Sequence, residues 1–183
     1  EKGSFSVLIP IPGHHMVYNA LVGTAVGLTY GLSLEEIQAG IESLQPVSGR
    51  FHIIDTGKYT VVDDCYNANP VSMKASLDVL TDALGRKVAI LGDMGELGKE
   101  EVEMHREVGV YAASKNLDLL ICVGELSQYM AEAARHAAPT KNILHFKTKE
   151  ELLREIAGVL QEGDTVLVKA SHFMGFEDVV KRL

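Results

Sequence analysis

The chain predicts an α/β fold, a Rossmann-like, mostly parallel sheet with helices on both faces, and three observations carry that expectation. From residue 51 onward short apolar runs alternate with amphipathic segments. The runs are dense in Val, Ile and Leu, as strands covered on both faces must be. The most polar stretch, 63–73, joins a strand to a helix, which is where open α/β sheets bind ligands.

The segments 51–56 and 59–64 flank Gly57-Lys58 and predict a hairpin, hence one antiparallel strand in the sheet. Further strands are predicted at 88–91, 119–123, 143–146 and 165–169. Pro70 suits the first turn of a helix whose inner face is Met73, Leu77, Leu80 and Leu84. Val108, Tyr111 and Ala112 mark the next helix, and Leu126, Tyr129, Met130 and Ala133 the one after. Leu152, Ile156 and Leu160 mark another, opened by Thr148 and Glu151 as a capping box, and a last helix starts near Glu177.

The first 46 residues read differently. They offer a strand at 7–9, a Pro-Ile-Pro-Gly turn, a helix carrying Val17, Leu21, Thr24 and Leu28, and a second helix capped by Ser33 and Glu36 over Ile37, Ile41 and Leu44. Two helices and a strand hardly bury both faces of anything. Residues 1–46 are therefore expected to be the end of a preceding domain, joined through Gln45-Pro46-Val47-Ser48-Gly49 to a second domain at 47–183. Glu1 stands where a start Met is expected, which points to a segment of a longer protein.

Composition narrows the function. With 183 residues, 46% of them apolar, the chain can bury a sizeable core. No apolar run is long enough for a bilayer and no signal segment opens the chain, so a cytoplasmic protein without membrane insertion is expected. The net charge of −8 and the dispersed Lys and Arg residues argue against nucleic acid and favour small-molecule partners. Cys65 and Cys122 are isolated and fit a reducing compartment. No metal site is expected, because His14, His15 and His172 lack a second ligand at fixed spacing.

Several motifs fail. G-x-G-x-x-G is absent, since no two glycines lie two apart. Gly92 to Lys99 imitates a phosphate loop, but its glycine spacing is one residue too long and Glu100 takes the place of Ser or Thr, so a tight strand-to-helix connection is expected. Zinc-protease and α/β-hydrolase signatures do not occur. The cluster Asp63-Asp64-Cys65-Tyr66-Asn67-Ala68-Asn69-Pro70 reads either as a site or as a solvated turn, because Asp, Asn and Pro are also turn residues. Arg50, beside Gly49, offers a rigid fork of donors suited to a phosphoryl group. Lys169 ends a buried strand and needs an anion or a nearby Asp, and Asp63 can cap the turn.

Taken in order, Pro12-Gly13-His14-His15, Ser48-Gly49-Arg50-Phe51, the Asp-rich cluster, Gly92-Asp93-Met94-Gly95-Glu96-Leu97-Gly98 and Lys169-Ala170-Ser171-His172 closely resemble the Mur ligases of peptidoglycan synthesis. The resemblance covers essentially the whole chain, as the end of a central ATPase domain followed by a complete C-terminal domain. It implies an ATP-dependent amide ligase that forms an acyl phosphate, with ATP and Mg²⁺ as cofactors and the Mg²⁺ ligands in a part of the parent not present here. The pairing of D-D-x-Y-N-A-N-P with G-D-M-x-E-L-G implies UDP-N-acetylmuramoyl-tripeptide and D-alanyl-D-alanine as substrates. A folylpolyglutamate synthetase-like ligase and a non-catalytic nucleotide-binding module are the alternatives.

By the family pattern Asn19 contacts adenine, Arg50 the ATP phosphates as the catalytic cation, and Asp64 the ribose or a neighbouring metal shell. Asn67, Asn69, Lys169 and Ser171 face the nucleotide or the incoming dipeptide. Two departures stand out: Met16 where the family commonly has Asn after His15, and Ala170 and His172 where it commonly has Gly and Arg around Ser171. The division of these residues across 45–49 implies a hinge there.

Overall fold

The computed structural model describes residues 3–183 and resolves two compact units that part between Val47 and Ser48. In the first unit, α1 (His14–Thr29) and α2 (Leu34–Glu42) follow one another through a short turn. The expected capping box forms: the Glu36 N–H donates to Ser33 Oγ at 3.2 Å and the Ser33 N–H to Glu36 Oε2 at 2.8 Å. Ile37 and Ile41 of α2 are buried.

The strand expected at 7–9 does not form. A strand needs a neighbour for its N–H and C=O groups, and no described residue of this unit supplies one; the Leu8 N–H reaches only the Glu42 carboxylate, at 3.4 Å. The inner face expected for α1 is also corrected. Val17 and Leu21 are exposed, as are Val22 and Val26, and Gly27 is the buried residue of that helix. Leu44 is likewise exposed.

The second unit is built on six strands: β1 (His52–Asp55), β2 (Thr60–Asp63), β3 (Lys87–Gly92), β4 (Leu119–Val123), β5 (Ile143–Phe146) and β6 (Thr165–Lys169). Their order is β1-β2-β6-β3-β4-β5, and β1 alone runs antiparallel to its neighbour. Five helices complete it: α3 (Pro70–Thr81), α4 (Glu101–Ser114), α5 (Ser127–Ala137), α6 (Lys149–Val159) and α7 (Glu177–Arg182). The hairpin, the parallel strands and the helices thus stand where the periodicities place them.

Alternate residues along each strand serve opposite faces of the sheet. Val61, Val88, Ile90, Ile121, Val166 and Val168 join one cluster with Leu152 and Ile156 of α6 and Phe176 and Val179 of α7. On the other face α3 packs on β3 and β6, with α4 against α3 and α5 against α4. Met73 and Leu77 are fully buried there, each contributing about 1.5–3 kcal/mol. Gly109 allows α4 and α5 to touch, since a Cβ at that position would fall 2.1 Å from the Met130 carbonyl oxygen.

Two expectations fail locally. α3 stops at Thr81, so Leu84 lies beyond it and is exposed rather than on the inner face. At α6, Thr148 does accept from the Glu151 N–H, but the Glu151 carboxylate accepts from the Lys147 N–H at 2.8 Å, one residue earlier than a capping box requires.

The strand order fixes the useful edge. The chain leaving β3 turns to α4 on one face, whereas the chain leaving β6 turns to α7 on the other. Their carboxyl ends therefore bracket a crevice, the topological switch point of the sheet.

Candidate functional site

Arg50 sits in a loop held from several directions. Gly49 and Phe51 on either side of it adopt left-handed backbone, with φ of 77° and 54°. For glycine this is unstrained, but for a buried Phe it is unfavourable and persists only when the surroundings impose it. The two consecutive aspartates of the cluster impose it. Asp63 Oδ2 accepts from the Gly49 N–H at 2.8 Å and from Ser48 Oγ at 3.2 Å, and Asp64 Oδ1 accepts from the Phe51 N–H at 3.1 Å. The Tyr66 N–H donates to the Gly49 carbonyl at 2.9 Å. A Cβ at position 49 would lie 3.1 Å from Tyr66 Cβ, so glycine also serves the close approach.

The guanidinium of Arg50 lies 4.2 Å from the centre of the Tyr66 ring, within cation–π range. The same ring lies 5.5 Å from the His172 ring, tilted by 40°. Arg50, Tyr66 and His172 are all exposed and form a row from the loop before β1 to the turn after β6.

Lys169 answers the need for a partner at the end of its strand. It is buried, and its Nζ donates to Asp64 Oδ2 at 2.6 Å and to the Asn67 carbonyl at 3.0 Å. Ser76 of α3 donates to the same Asp64 oxygen at 2.6 Å. Both carboxylate oxygens of Asp64 are therefore engaged inside the unit. Lys169 and Asp64 tie β6, β2 and α3 together, with the cation facing inward.

Ser171 is buried and bridges the crevice. Its Oγ accepts from the Gly95 N–H at 2.8 Å and lies 3.2 Å from the Ala68 carbonyl and 3.4 Å from Asn67 Oδ1. Asn67 is exposed, with its Oδ1 accepting from the Ala68 N–H. Asn69 is the N-cap of α3: its Oδ1 accepts from the Ser72 N–H at 2.9 Å while its own N–H donates to Ser72 Oγ. Asn19 lies in the other unit, on α1, its carboxamide 3.3 Å from the Met16 sulfur. The structure thus gathers Arg50, Asp64, Asn67, Lys169 and Ser171 on one edge, with Asn69 beside them as a cap. Gly49, expected in the joint, is bonded through both its N–H and its carbonyl to the second unit.

Asp93 stood in the G-D-M-x-E-L-G motif without a role of its own. It is buried, and its carboxylate accepts from Ser127 Oγ at 2.6 Å and from the N–H groups of Ser127 at 2.7 Å and Leu126 at 3.2 Å, at the start of α5. Its carbonyl accepts from the Ser171 N–H. Beyond the motif, its visible signal was an acid directly after the apolar run 88–91 and Gly92. Asp93, Glu125, Glu150, Lys147, Lys149 and Phe173 line an open cleft of about 370 Å³, in which Lys147 lies 3.8 Å from Glu125 and Lys149 is bonded to Asp178. His105 is fully buried and holds the turn after β3: the Met94 N–H donates to its Nε2 at 3.0 Å, which leaves Nδ1 to carry the proton toward the Glu101 carbonyl.

The buried Cys65 thiol donates to Asp63 Oδ1 at 3.0 Å. Burial, and then that bond, pushes it well above the ordinary thiol range, so it is not a nucleophile at neutral pH. Among the described residues no group of three or more His, Cys, Asp or Glu side chains converges to hold a metal ion.

With this geometry in place, a family model described as "Mur ligase, glutamate ligase domain" matches residues 49–172, more than half of the chain. The chain belongs to the Mur ligase family. Among relatives it is 35% identical, over 179 residues, to the UDP-N-acetylmuramoyl-tripeptide--D-alanyl-D-alanine ligase of Bacillus subtilis, covering 96% of this chain and 39% of the relative. A crystal structure of MurF from Acinetobacter baumannii superposes with a TM-score of 0.88 at 34% identity, over 98% of this chain and 39% of that one. The MurF ligase of Thermotoga maritima in complex with ADP superposes with a TM-score of 0.78 at 27% identity, over 94% of this chain and 38% of that one. The chain therefore spans about 39% of the length of these Mur ligases.

Proposed function

We propose that this chain is the carboxyl-terminal part of an ATP-dependent ligase of the bacterial cytoplasm that joins D-alanyl-D-alanine to UDP-N-acetylmuramoyl-tripeptide. The likeness to MurF ligases supports the substrates. The observation that carries the chemistry is Arg50, an exposed guanidinium set on a braced loop at the ligand-binding edge of the sheet.

In the reaction, an oxygen of the tripeptide's terminal carboxylate attacks the γ-phosphorus of ATP and ADP leaves. The dipeptide amine then attacks the carbonyl carbon of the acyl phosphate, and inorganic phosphate and a proton leave. In the first step negative charge is spread over the oxygens of the transferring phosphoryl group and builds on the leaving oxygen of ADP, and a guanidinium held in advance stabilises it without reorganising. The Ser171 hydroxyl and the Asn67 carboxamide border the same edge, 3.4 Å apart, and are the polar groups assigned to the incoming dipeptide. The residues described here do not fit a Mg²⁺ site, so no step is assigned to a metal within this chain. Asn19 is assigned to adenine, and Asn69 to capping α3 at the substrate edge. The exposed apolar side of α1 suits burial against further parts of such a ligase.

The test uses the full-length protein. Phosphate release should require both the muramoyl tripeptide and D-alanyl-D-alanine, and Arg50→Ala should lower kcat by about 10²-fold with a smaller change in KM for ATP. Phosphate release that depends instead on a folate and glutamate, or an unchanged kcat in Arg50→Ala, would overturn the assignment of substrate or residue respectively.

A further inference from the structure

We infer that Asp63 and Asp64 act as a clamp that positions Arg50; this deepens the ligase reading of Arg50 and rests on it. Asp63 is the last residue of β2 and Asp64 the first beyond it. Both reach the same four-residue loop. Asp63 takes the Ser48 hydroxyl and the Gly49 N–H, on the near side of Arg50, and Asp64 takes the Phe51 N–H, on the far side. The arginine is thus the one residue between two grips.

Each grip is itself fixed from behind. Asp63 Oδ1 accepts from the Cys65 thiol, and Asp64 Oδ2 accepts from Lys169 Nζ and Ser76 Oγ, each at 2.6 Å. Oδ1 of Asp64 accepts only from the Phe51 N–H and keeps one lone pair for a further donor. The left-handed φ of Phe51 shows what the clamp does: a non-glycine residue stays there only under outside restraint. The consequence is that the Arg50 backbone is aimed at the Tyr66 ring, which holds the guanidinium 4.2 Å from its centre. The long, flexible arginine side chain is ordered before any phosphate arrives, and pre-ordering of this kind lowers the cost of binding and of reaction.

A ligand-free measurement decides the matter. In NMR spectra of the full chain the Arg50 side-chain protons should carry the ring-current shift of Tyr66, and the Phe51 amide should exchange slowly. Asp64→Asn and Asp63→Asn should move the Arg50 resonances toward their random-coil positions and speed exchange at Phe51 or Gly49 by about 10-fold or more. Ser76→Ala, which spares both carboxylates, should give a smaller change in the same direction. Asp78→Asn, distant from the loop, serves as a destabilised control and should change neither. Unchanged Arg50 shifts in folded Asp63→Asn and Ser76→Ala chains would overturn the clamp, even if Asp64→Asn fails to fold.

In the full-length enzyme, Asp64→Asn should lower kcat in the presence of Arg50 and cause no further loss in the Arg50→Ala background. Losses that multiply would mean that Asp64 meets the nucleotide itself and would also overturn the clamp. If Arg50→Ala alone leaves kcat intact, the ligase role of Arg50 fails, and the clamp still stands or falls on the NMR result.

Discussion

Two lysine–aspartate pairs in the second unit share the same 2.6 Å separation and little else. Lys169 and Asp64 meet at the carboxyl edge of the sheet with side chains 3% and 14% exposed, whereas Lys115 and Asp78 meet on the outer face of α3 and α4 at 23% and 51%. Around Asp64 every other partner is also internal: Ser76 Oγ, the Phe51 N–H and, through Lys169, the Asn67 carbonyl. Around Asp78 the remaining partner is the Tyr111 hydroxyl at 2.7 and 2.9 Å, with Lys115 also 4.2 Å from the centre of the Tyr111 ring. The distance of an ion pair therefore says little about its role. Burial decides whether removing one partner strands a charge or merely returns it to water.

The largest expected effect follows directly. Asp64→Ala leaves Lys169 buried without its carboxylate and should cost about 3–5 kcal/mol in chemical denaturation. A loss no greater than that of Asp78→Ala would break the comparison, because water would then have to reach Lys169 freely.

Asn69→Ala probes the same edge at lower stakes. The Asn69 carboxamide caps α3, so stability should fall by about 1 kcal/mol. A loss confined to substrate KM in the full-length protein, with unchanged thermal stability, would instead make Asn69 a ligand residue.

The smallest effect belongs to the surface pair, and it depends on pH. Burial acts upward on the Asp78 carboxyl, but the hydrogen bonds from Lys115 and Tyr111 act downward and prevail, leaving it below its ordinary 3.8. A carboxyl lowered by folding stabilises the native state above its unfolded pKa, and that contribution disappears as pH falls through the folded value. Asp78→Asn should therefore cost under about 1 kcal/mol at pH 7, less at high salt, and progressively less as the pH falls below 3.8. Thermal melts across that range check this; a loss that does not shrink with falling pH would show that the pair acts through packing.

The same contrast explains what could be read in advance. The strands from β2 to β6 are almost uninterrupted Val, Ile and Leu, and such runs have few alternatives to a sheet covered on both sides. Segment 7–9 has the same local character but no neighbour among the described residues of its unit, so its propensity came to nothing. Leu84 continued a helical period that the chain abandoned at Thr81, and periodicity alone does not mark where a helix stops. At the site, Arg50, Asp64 and Lys169 were visible as charged residues at element ends. The Tyr66 platform, the Asp93 ties to α5 and the inward orientation of Lys169 were not, because each depends on a partner between 16 and 105 residues away.

The sequence by itself determined the alternation of strand and helix, the hairpin that opens the sheet, the caps at Ser33 and Thr148 and the order of motifs that marks the family. These rest on side-chain period and on backbone geometry within a few residues, which are local properties. Only the tertiary structure decided which carboxylates face inward. β6 inserts between β2 and β3, and that insertion carries Lys169 to Asp64 and Ser171 to Gly95. A charge at a strand end has the same sequence whether it meets solvent, ligand or another side chain. The strand order chooses among them, because it sets which ends lie within hydrogen-bonding reach.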